Sequence, residues 1–165
     1  MALKTLRDAL VEELEDILSA EQQITEALPL MMQKATHPEL KAGFEQHLNE
    51  TKTQISRLGQ ALSALGQKPE TSTTCEAMKG ILKEGQHIMG TQADPDVMDA
   101  MLIAAAQKVE HYEIASYGTV CTWAALLGKN DVKELLGQTL QEEKMTDERL
   151  SALAESVINA DAIAQ

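Results

Sequence analysis

The chain has 165 residues, a length that suits one domain with a substantial hydrophobic core, and we expect residues 1–165 to form a single domain. Only 2% of the residues are aromatic, and Ala, Leu, Met, Glu, Gln and Lys dominate the rest, which favours helices over strands. The formal net charge of −12 opposes contact with phosphate backbones and anionic lipids, so neither a nucleic acid nor a membrane is expected as a partner.

The first part of the chain predicts a helical hairpin. Apolar residues at steps of three and four predict an amphipathic helix over about residues 3–35, with a bend at Pro29 near its end. A short turn follows, and Pro38 suits the first position of a second helix, predicted over residues 38–65 and ended by Gly66. These two helices should lie antiparallel to each other.

The rest of the chain predicts a second hairpin after a long connection. Residues 67–95 contain Pro69 and a short helical stretch near residues 77–89, and they are too many for a tight turn between neighbouring helices. A third helix is predicted over residues 96–127 and a fourth over residues 131–158, followed by a frayed tail. Two helical hairpins joined by one long crossover predict an all-α, ferritin-like four-helix bundle.

One group of residues stands out because each long helix carries an acid at or beside its apolar stripe. These residues are Glu21 in the first helix, His47 and Glu50 in the second, Glu110 and Glu113 in the third, and Glu143 and Asp147 in the fourth. Glu21 occupies a heptad position between two leucines, where packing calls for an apolar side chain. Burying an unpaired carboxylate costs about several kcal/mol, so such a residue needs a partner, a raised pKa or an opening to solvent.

The depths of these residues also match. Side chains equally far from a hairpin turn lie level in antiparallel helices, because each residue rises about 1.5 Å. Glu21 and Glu50 lie about 15 and 14 residues from a turn near residue 36. Glu113, Glu143 and Asp147 lie about 16, 14 and 18 residues from a turn near residue 129. Convergence of the hairpins would gather six carboxylates and one imidazole.

Such a set of ligands predicts a metal site. Carboxylates with imidazole suit Fe or Mn, and two divalent ions per chain would offset the buried charge. Known di-metal bundles use one Glu from each of two helices and a Glu-x-x-His pair from each of the others. Here the second helix has the reversed order His47-x-x-Glu50, and the fourth has Asp147 where a His is expected. The spacing leaves open weaker metal binding or a carboxylate cluster without metal, and it does not decide between Glu142 and Glu143.

The remaining chemistry-bearing residues predict no second site, since the sequence contains no phosphate-binding glycine loop, Ser/His/Asp set or zinc motif. We expect His37, His87 and His111 at the surface. Cys75 and Cys121 are isolated thiols that suit a structural role in a reducing compartment. No secretory leader and no apolar run of about 20 residues is present, so a cytoplasmic location is expected.

The run QKVEHYEIASYG at residues 107–118 closely resembles the YciE and YciF family of ferritin-like bacterial stress proteins. Further matching segments are SAEQQITEALP at 19–29, HLNET at 47–51, CEAMKGILKEG at 75–85 and TLQEEKMTD at 139–147. The resemblance covers about residues 3–155. It implies a rubrerythrin-like bundle that associates as a homodimer, a link to general or osmotic stress, and a di-metal centre with ligands among the seven residues named above.

Two functional hypotheses follow. In the first, a di-iron or di-manganese protein acts on oxygen or peroxide as a small oxidant. In the second, a non-enzymatic dimeric stress protein keeps a vestigial or metal-free acid cluster. The family resemblance implies no particular reaction, and the sequence lacks the rubredoxin-like cysteine pairs that would deliver electrons. Nothing in the sequence argues for a storage shell larger than a dimer.

Overall fold

The structure is a computed structural model that describes residues 3–164. Its helical segments in chain order are α1 (Leu6–Lys34), α2 (Pro38–Ala64), α3 (Glu76–Gly90), α4 (Pro95–Leu126), α5 (Asn130–Leu153), a π-helical segment (Ala154–Ile158) and α6 (Asn159–Ile163). Residues 3–164 contain no strand, so the all-α prediction is confirmed. None of the helices within this range combines the length and the apolar character that crossing a bilayer requires.

The start of α1 differs from the prediction by a few residues because a capping box defines it. The Thr5 side chain accepts a hydrogen bond from the Asp8 amide, and the Asp8 carboxylate accepts one from the Thr5 amide. Thr5 has extended backbone angles, so the helix begins at Leu6 rather than at residue 3. Pro29 lies inside α1, as expected.

The turn between α1 and α2 is fixed by the start of α4. The buried Asp99 carboxylate accepts hydrogen bonds from the Thr36 amide at 2.8 Å, the Thr36 hydroxyl at 2.6 Å and the His37 amide at 2.7 Å. This one side chain satisfies backbone donors of the turn and ties the first hairpin to the second.

The last helix continues beyond its predicted end. A π-helical segment follows α5, and α6 extends the helix to Ile163, where a frayed tail after residue 158 is predicted. A π-turn inserts an extra residue per turn, and both Ala154 and Ile158 remain buried across it. The hydrophobic pattern of the sequence does not reveal this register change, because it depends on how α5 packs against α4.

The hydrophobic core consists of two clusters with a polar layer between them. One cluster includes Leu10, Leu14, Leu58, Leu62, Val120 and Leu136. The other includes Ile24, Leu28, Phe44, Met98, Leu102 and Leu150. Along α1 the sequence passes from Leu18 in the first cluster through Glu21 to Ile24 in the second. The same break occurs at Glu113 in α4 and at Glu143 in α5, so the polar layer crosses the whole bundle.

Candidate metal centre

The polar layer gathers five ionisable side chains from all four long helices. Glu21 comes from α1, His47 from α2, Glu110 and Glu113 from α4, and Glu143 from α5. His47 is 3% exposed and the four glutamates are at most 1% exposed. Such burial excludes the solvated boundary position that a lone glutamate on an apolar stripe usually occupies.

Four of these side chains converge on one point. His47, Glu110, Glu113 and Glu143 each offer a nitrogen or oxygen atom, and these atoms all lie within 4.8 Å of one another. His47 Nε2 lies 3.2 Å from Glu110 Oε1 without the geometry of a hydrogen bond, and His47 Nδ1 lies 4.0 Å from Glu143 Oε2. Among residues 3–164 this is the group whose donor atoms are arranged closely enough to hold a metal ion.

Many of the buried donor atoms in this layer have no hydrogen-bond partner within the described part of the chain. Both nitrogens of His47, both oxygens of Glu113 and one oxygen each of Glu21, Glu110 and Glu143 are unsatisfied. A buried polar atom without a partner costs about 1–3 kcal/mol, and more when the group is charged. A layer of this kind therefore requires protons, water or cations to be stable.

In the absence of metal, burial disfavours the ionised forms of the side chains in the polar layer. Burial raises the pKa of Glu21 to about 7 and that of Glu110 to about 8. Burial, reinforced by the neighbouring carboxylates, raises the pKa of Glu113 and of Glu143 well above the usual range. Burial also lowers the pKa of His47 to about 4. At neutral pH the imidazole is neutral and several carboxyl groups keep their protons unless a cation replaces them.

Two further buried residues orient the glutamates. The Tyr117 hydroxyl donates a hydrogen bond to Glu21 Oε1, and the Gln54 amide donates one to Glu143 Oε1. Burial raises the pKa of Tyr117 well above its usual value, so the hydroxyl keeps its proton and remains a donor. The sequence pattern carried a signal for both residues, because Tyr117 follows Glu113 by four residues and Gln54 follows His47 by seven. That spacing is not an anomaly in the hydrophobic pattern, because an uncharged side chain on a stripe carries no buried charge that would need a partner.

The choice between Glu142 and Glu143 is clear from their positions. Glu143 points into the polar layer, whereas Glu142 is bound by Arg57 through contacts of 2.6 and 2.8 Å and by Gln54 at 3.1 Å. Burial opposes ionisation of Glu142, but the hydrogen bonds from Arg57 and Gln54 outweigh it and lower its pKa. Glu142 therefore lies at the outer edge of the layer, where its ion pair with Arg57 joins α5 to α2.

Three of the seven predicted ligands lie outside the converging group: Glu21, which is fully buried in the same layer, and Glu50 and Asp147 at its margin. Glu50 is half-buried, accepts a hydrogen bond from Gln46 at 2.7 Å and lies 3.6 Å from the Arg149 guanidinium. Asp147 is also half-buried, accepts a hydrogen bond from Gln107 at 3.1 Å and lies 3.4 Å from His111. Both carboxylates belong to the margin of the polar layer, and Glu50 Oε2 is buried without a hydrogen-bond partner among residues 3–164.

The other histidines and the two cysteines lie outside the polar layer. His87 is exposed and the His111 side chain is 69% exposed, as expected, whereas His37 is half-buried beside the turn that Asp99 holds. Cys75 and Cys121 are buried free thiols in the described chain, and the Cys75 sulfur lies 3.1 Å from the Tyr112 hydroxyl.

Comparison with known proteins gives the family. The family described as "Domain of unknown function (DUF892)" matches residues 5–163. The chain belongs to this family. Protein YciF of Escherichia coli K12 is 41% identical over 162 residues, which cover 98% of each chain. The crystal structure of that stress protein matches with a TM-score of 0.91 over 95% of this chain and 99% of the other, so the predicted YciE/YciF resemblance is confirmed.

Two further solved structures extend the comparison. YcfI from Rhodopseudomonas palustris, named as a candidate structural protein, is 47% identical, with a TM-score of 0.87 over 90% of this chain and 94% of that one. Ferritin-like diiron-carboxylate proteins from Bacillus anthracis are 18% identical, with a TM-score of 0.70 over 92% of this chain and 99% of theirs. The second match concerns the fold alone, and with it the predicted ferritin-like bundle is confirmed.

Proposed function

We propose that this chain is a ferritin-like, stress-associated protein that binds two Fe or Mn ions in its polar layer and acts on oxygen or peroxide. The observation that carries the proposal is the convergence of unpartnered, fully buried donors from His47, Glu110, Glu113 and Glu143. Glu21 adds a fourth buried carboxyl group from α1 to the same layer.

The charge and chemistry of the donors fit a pair of divalent ions. Four buried carboxylates bring four negative charges, and two divalent cations would balance them. Carboxylate oxygen with one imidazole nitrogen favours Fe or Mn over softer metals, which prefer thiolate ligands. Bound Fe or Mn would supply redox chemistry toward a small oxidant.

The protein's own contribution would be to hold these ligands in place and keep bulk water out. The apolar cluster that includes Leu14 and Leu58 limits access from one end of the bundle, whereas the other side is reached through an apolar cavity. Hydrogen bonds from Tyr117 and Gln54 fix one oxygen each of Glu21 and Glu143, which leaves the other oxygen of each free for a cation. Such support of ligands typically changes metal affinity by about 10–100-fold.

A second candidate function is a non-enzymatic stress protein, a homodimer that keeps this layer protonated and metal-free. The observation that favours it is the raised pKa of all four glutamates, since carboxyl groups that stay neutral can remain buried without a cation. The name of the R. palustris relative points in the same direction.

Metal analysis distinguishes the two candidates. Metal-free protein would be incubated with Fe(II) without oxygen, or with Mn(II), and desalted before its metal content and melting temperature are measured. We expect about two ions per chain and a raised melting temperature, because a ligand selective for the folded state adds stability, about 2.7 kcal/mol at 100 times its Kd.

Matched variants make the metal analysis specific to the layer. Glu113→Gln replaces a buried carboxyl ligand with an amide, and Glu134→Gln makes the same change at an exposed position of α5. We expect the first variant to lose bound metal and the second to keep it. Absence of bound metal and an unchanged melting temperature in the unsubstituted protein would favour the non-enzymatic candidate.

A further inference from the structure

A cavity of about 510 Å³ lies next to the polar layer, lined mainly by α1, α2, α4 and α5, with Leu82 of α3 and Ser156 of the π-helical segment. Its size falls in the range of about 300–1,000 Å³ that small-molecule sites occupy. At its inner end it reaches His47 and Glu110. At its outer end lie the exposed residues Ala42 and Gly43 of α2, opposite Ser156 of the π-helical segment.

The sequence explains why this space is open. Ala42 and Gly43 present almost no side-chain volume toward α5, and a Cβ atom added at Gly43 would meet no atom within 4 Å. Further toward the α4–α5 turn, Gln54 and Arg57 bridge α2 to α5 and close the bundle. The walls between the two ends are apolar, with Leu28, Phe44, Val109 and Leu150 among the lining residues.

The inner end of the cavity contains buried polar atoms that a ligand could satisfy. His47 and Glu110 are at least nine-tenths buried, both line the cavity, and both nitrogens of His47 and one oxygen of Glu110 have no hydrogen-bond partner among residues 3–164. A hydroxyl group at this point would supply the missing donor or acceptor, and an alkyl chain would fill the apolar space behind it.

The charges around the cavity decide which head group fits. An anionic head would meet the carboxyl groups of Glu110 and Glu39, and Arg149, the one cation among the described residues that line the cavity, lies 3.6 Å from Glu50. A cationic head would compete with the metal ions proposed for Glu110 and its neighbouring carboxyl groups, and an ammonium group would lose its hydration in the apolar part of the cavity. An uncharged polar head avoids both penalties.

We propose that this cavity binds an uncharged, medium-chain alkyl molecule whose polar end lies against His47 and Glu110. The role of this cavity as the substrate site of the metal centre rests on the proposed function above. Binding itself requires only the cavity and the two side chains at its inner end, whose atoms lack partners in the metal-free protein, so the ligand and the metal can be tested separately.

The first experiment measures binding of 1-decanol to the metal-free full-length protein by calorimetry, with decanoate and decylamine as charged analogues. Decanol is expected to bind saturably and at least about tenfold more tightly than either analogue. No saturable binding of decanol, or tighter binding of an ionic analogue, would overturn the proposal.

Variants locate the bound molecule. Gly43→Leu places a side chain in the outer end of the cavity, and Gly80→Leu makes the same change on exposed α3, where a Cβ atom also meets nothing within 4 Å. Ala106→Leu fills the cavity from α4 as a second, independent variant. Gly43→Leu and Ala106→Leu are expected to weaken decanol binding about tenfold or more. Gly80→Leu is expected to leave it unchanged, and equal binding by all three variants would place decanol elsewhere.

The second experiment tests orientation with Mn(II), whose paramagnetism accelerates the NMR relaxation of nearby protons. In protein loaded with Mn(II), the protons on the hydroxyl-bearing carbon of decanol are expected to relax faster than those of the terminal methyl group. The reverse order would overturn the proposed orientation. Failure of Mn(II) to bind would count against the metal centre alone, because decanol binding to the metal-free protein is measured independently.

Discussion

The Tyr117 hydroxyl and the Glu21 carboxyl group form a hydrogen bond in the interior of the bundle, and both side chains are fully buried. Tyr117 comes from α4 and Glu21 from α1, so the bond also joins the two hairpins at the level of the polar layer. It leaves Glu21 Oε2 buried and without a hydrogen-bond partner among residues 3–164.

Tyr117→Phe tests this contact. Removal of the hydroxyl leaves a buried carboxyl group without a donor, so we expect a loss of about 1–3 kcal/mol in the free energy of unfolding of the metal-free protein. Metal affinity should fall by about 10–100-fold, because Glu21 loses the contact that orients it. Urea denaturation and metal titration measure the two effects.

The matched control is Tyr112→Phe, which removes a hydroxyl that donates to Asp16 outside the polar layer. This variant should keep its metal affinity, whatever its effect on stability. Equal loss of metal affinity in both tyrosine variants would contradict a specific role for Tyr117.

Glu142 and Glu143 offer a comparison between neighbouring residues. Glu143→Gln should abolish metal binding, since it removes a buried ligand charge. Glu142→Gln should bind metal nearly as well as the unsubstituted protein and lose roughly 0.2–1 kcal/mol of stability, because it weakens a part-exposed ion pair with Arg57. Metal content and denaturation curves of both variants check this, and the reverse pattern would show that the ligand set is wrong.

The stability of the metal-free protein should fall as the pH rises from about 6.5 to 8. Burial raises the pKa of Glu21 to about 7 and of Glu110 to about 8, from an ordinary value of 4.5. A raised carboxyl pKa means that the folded state holds more protons than the unfolded state, so its stabilising contribution is full below pH 4.5 and disappears as the pH passes the folded pKa.

Titration of His47 changes the stability in the opposite direction, and it does so in a lower pH range. Burial lowers its pKa from 6.5 to about 4, so its contribution is present above pH 6.5 and is lost as the pH falls toward 4. Denaturation midpoints between pH 6.5 and 8 therefore report mainly the glutamates. Glu110→Gln should reduce the slope, and a stability that is constant or increases over this range would contradict the buried, protonated layer.

Asp99 should be among the most sensitive positions away from the polar layer. Its buried carboxylate accepts three hydrogen bonds from the α1–α2 turn, and hydrogen bonds to a charged group contribute about 1.5–3 kcal/mol each. We expect Asp99→Ala to lower the free energy of unfolding by about 3 kcal/mol or more. Asp94→Ala, which removes only the N-cap of α4, should cost about 1 kcal/mol. Similar losses in both variants would contradict the role of Asp99 as a tie between hairpins.

The sequence was sufficient to predict the helices, the crossover and the buried glutamates. Glu21 and Glu143 replace apolar residues in otherwise regular stripes, and the matching depth of acids on all four helices favours core positions over the solvated boundary position that a lone glutamate usually takes. Glu50 and Asp147 lie at the margins of their stripes, where a long side chain can point either inward or toward water. Their partners, Arg149 and His111, decide the direction, and those contacts depend on packing between helices.

Other features were beyond prediction for a different reason. Gln54 is uncharged, so its burial beside Glu143 leaves no anomaly in the hydrophobic pattern. The π-helical segment Ala154–Ile158 and the cavity beside Gly43 arise from how helices fit together in three dimensions. No single helix pattern contains that information.

The central claim is that the polar layer binds two metal ions, and anomalous diffraction from crystals soaked in Mn(II) tests it most directly. We predict two anomalous peaks inside the bundle, within bonding distance of His47, Glu110, Glu113, Glu143 and Glu21. A soaked crystal with no peak in this layer, or with manganese only at marginal carboxylates such as Glu50 and Asp147, would contradict the claim.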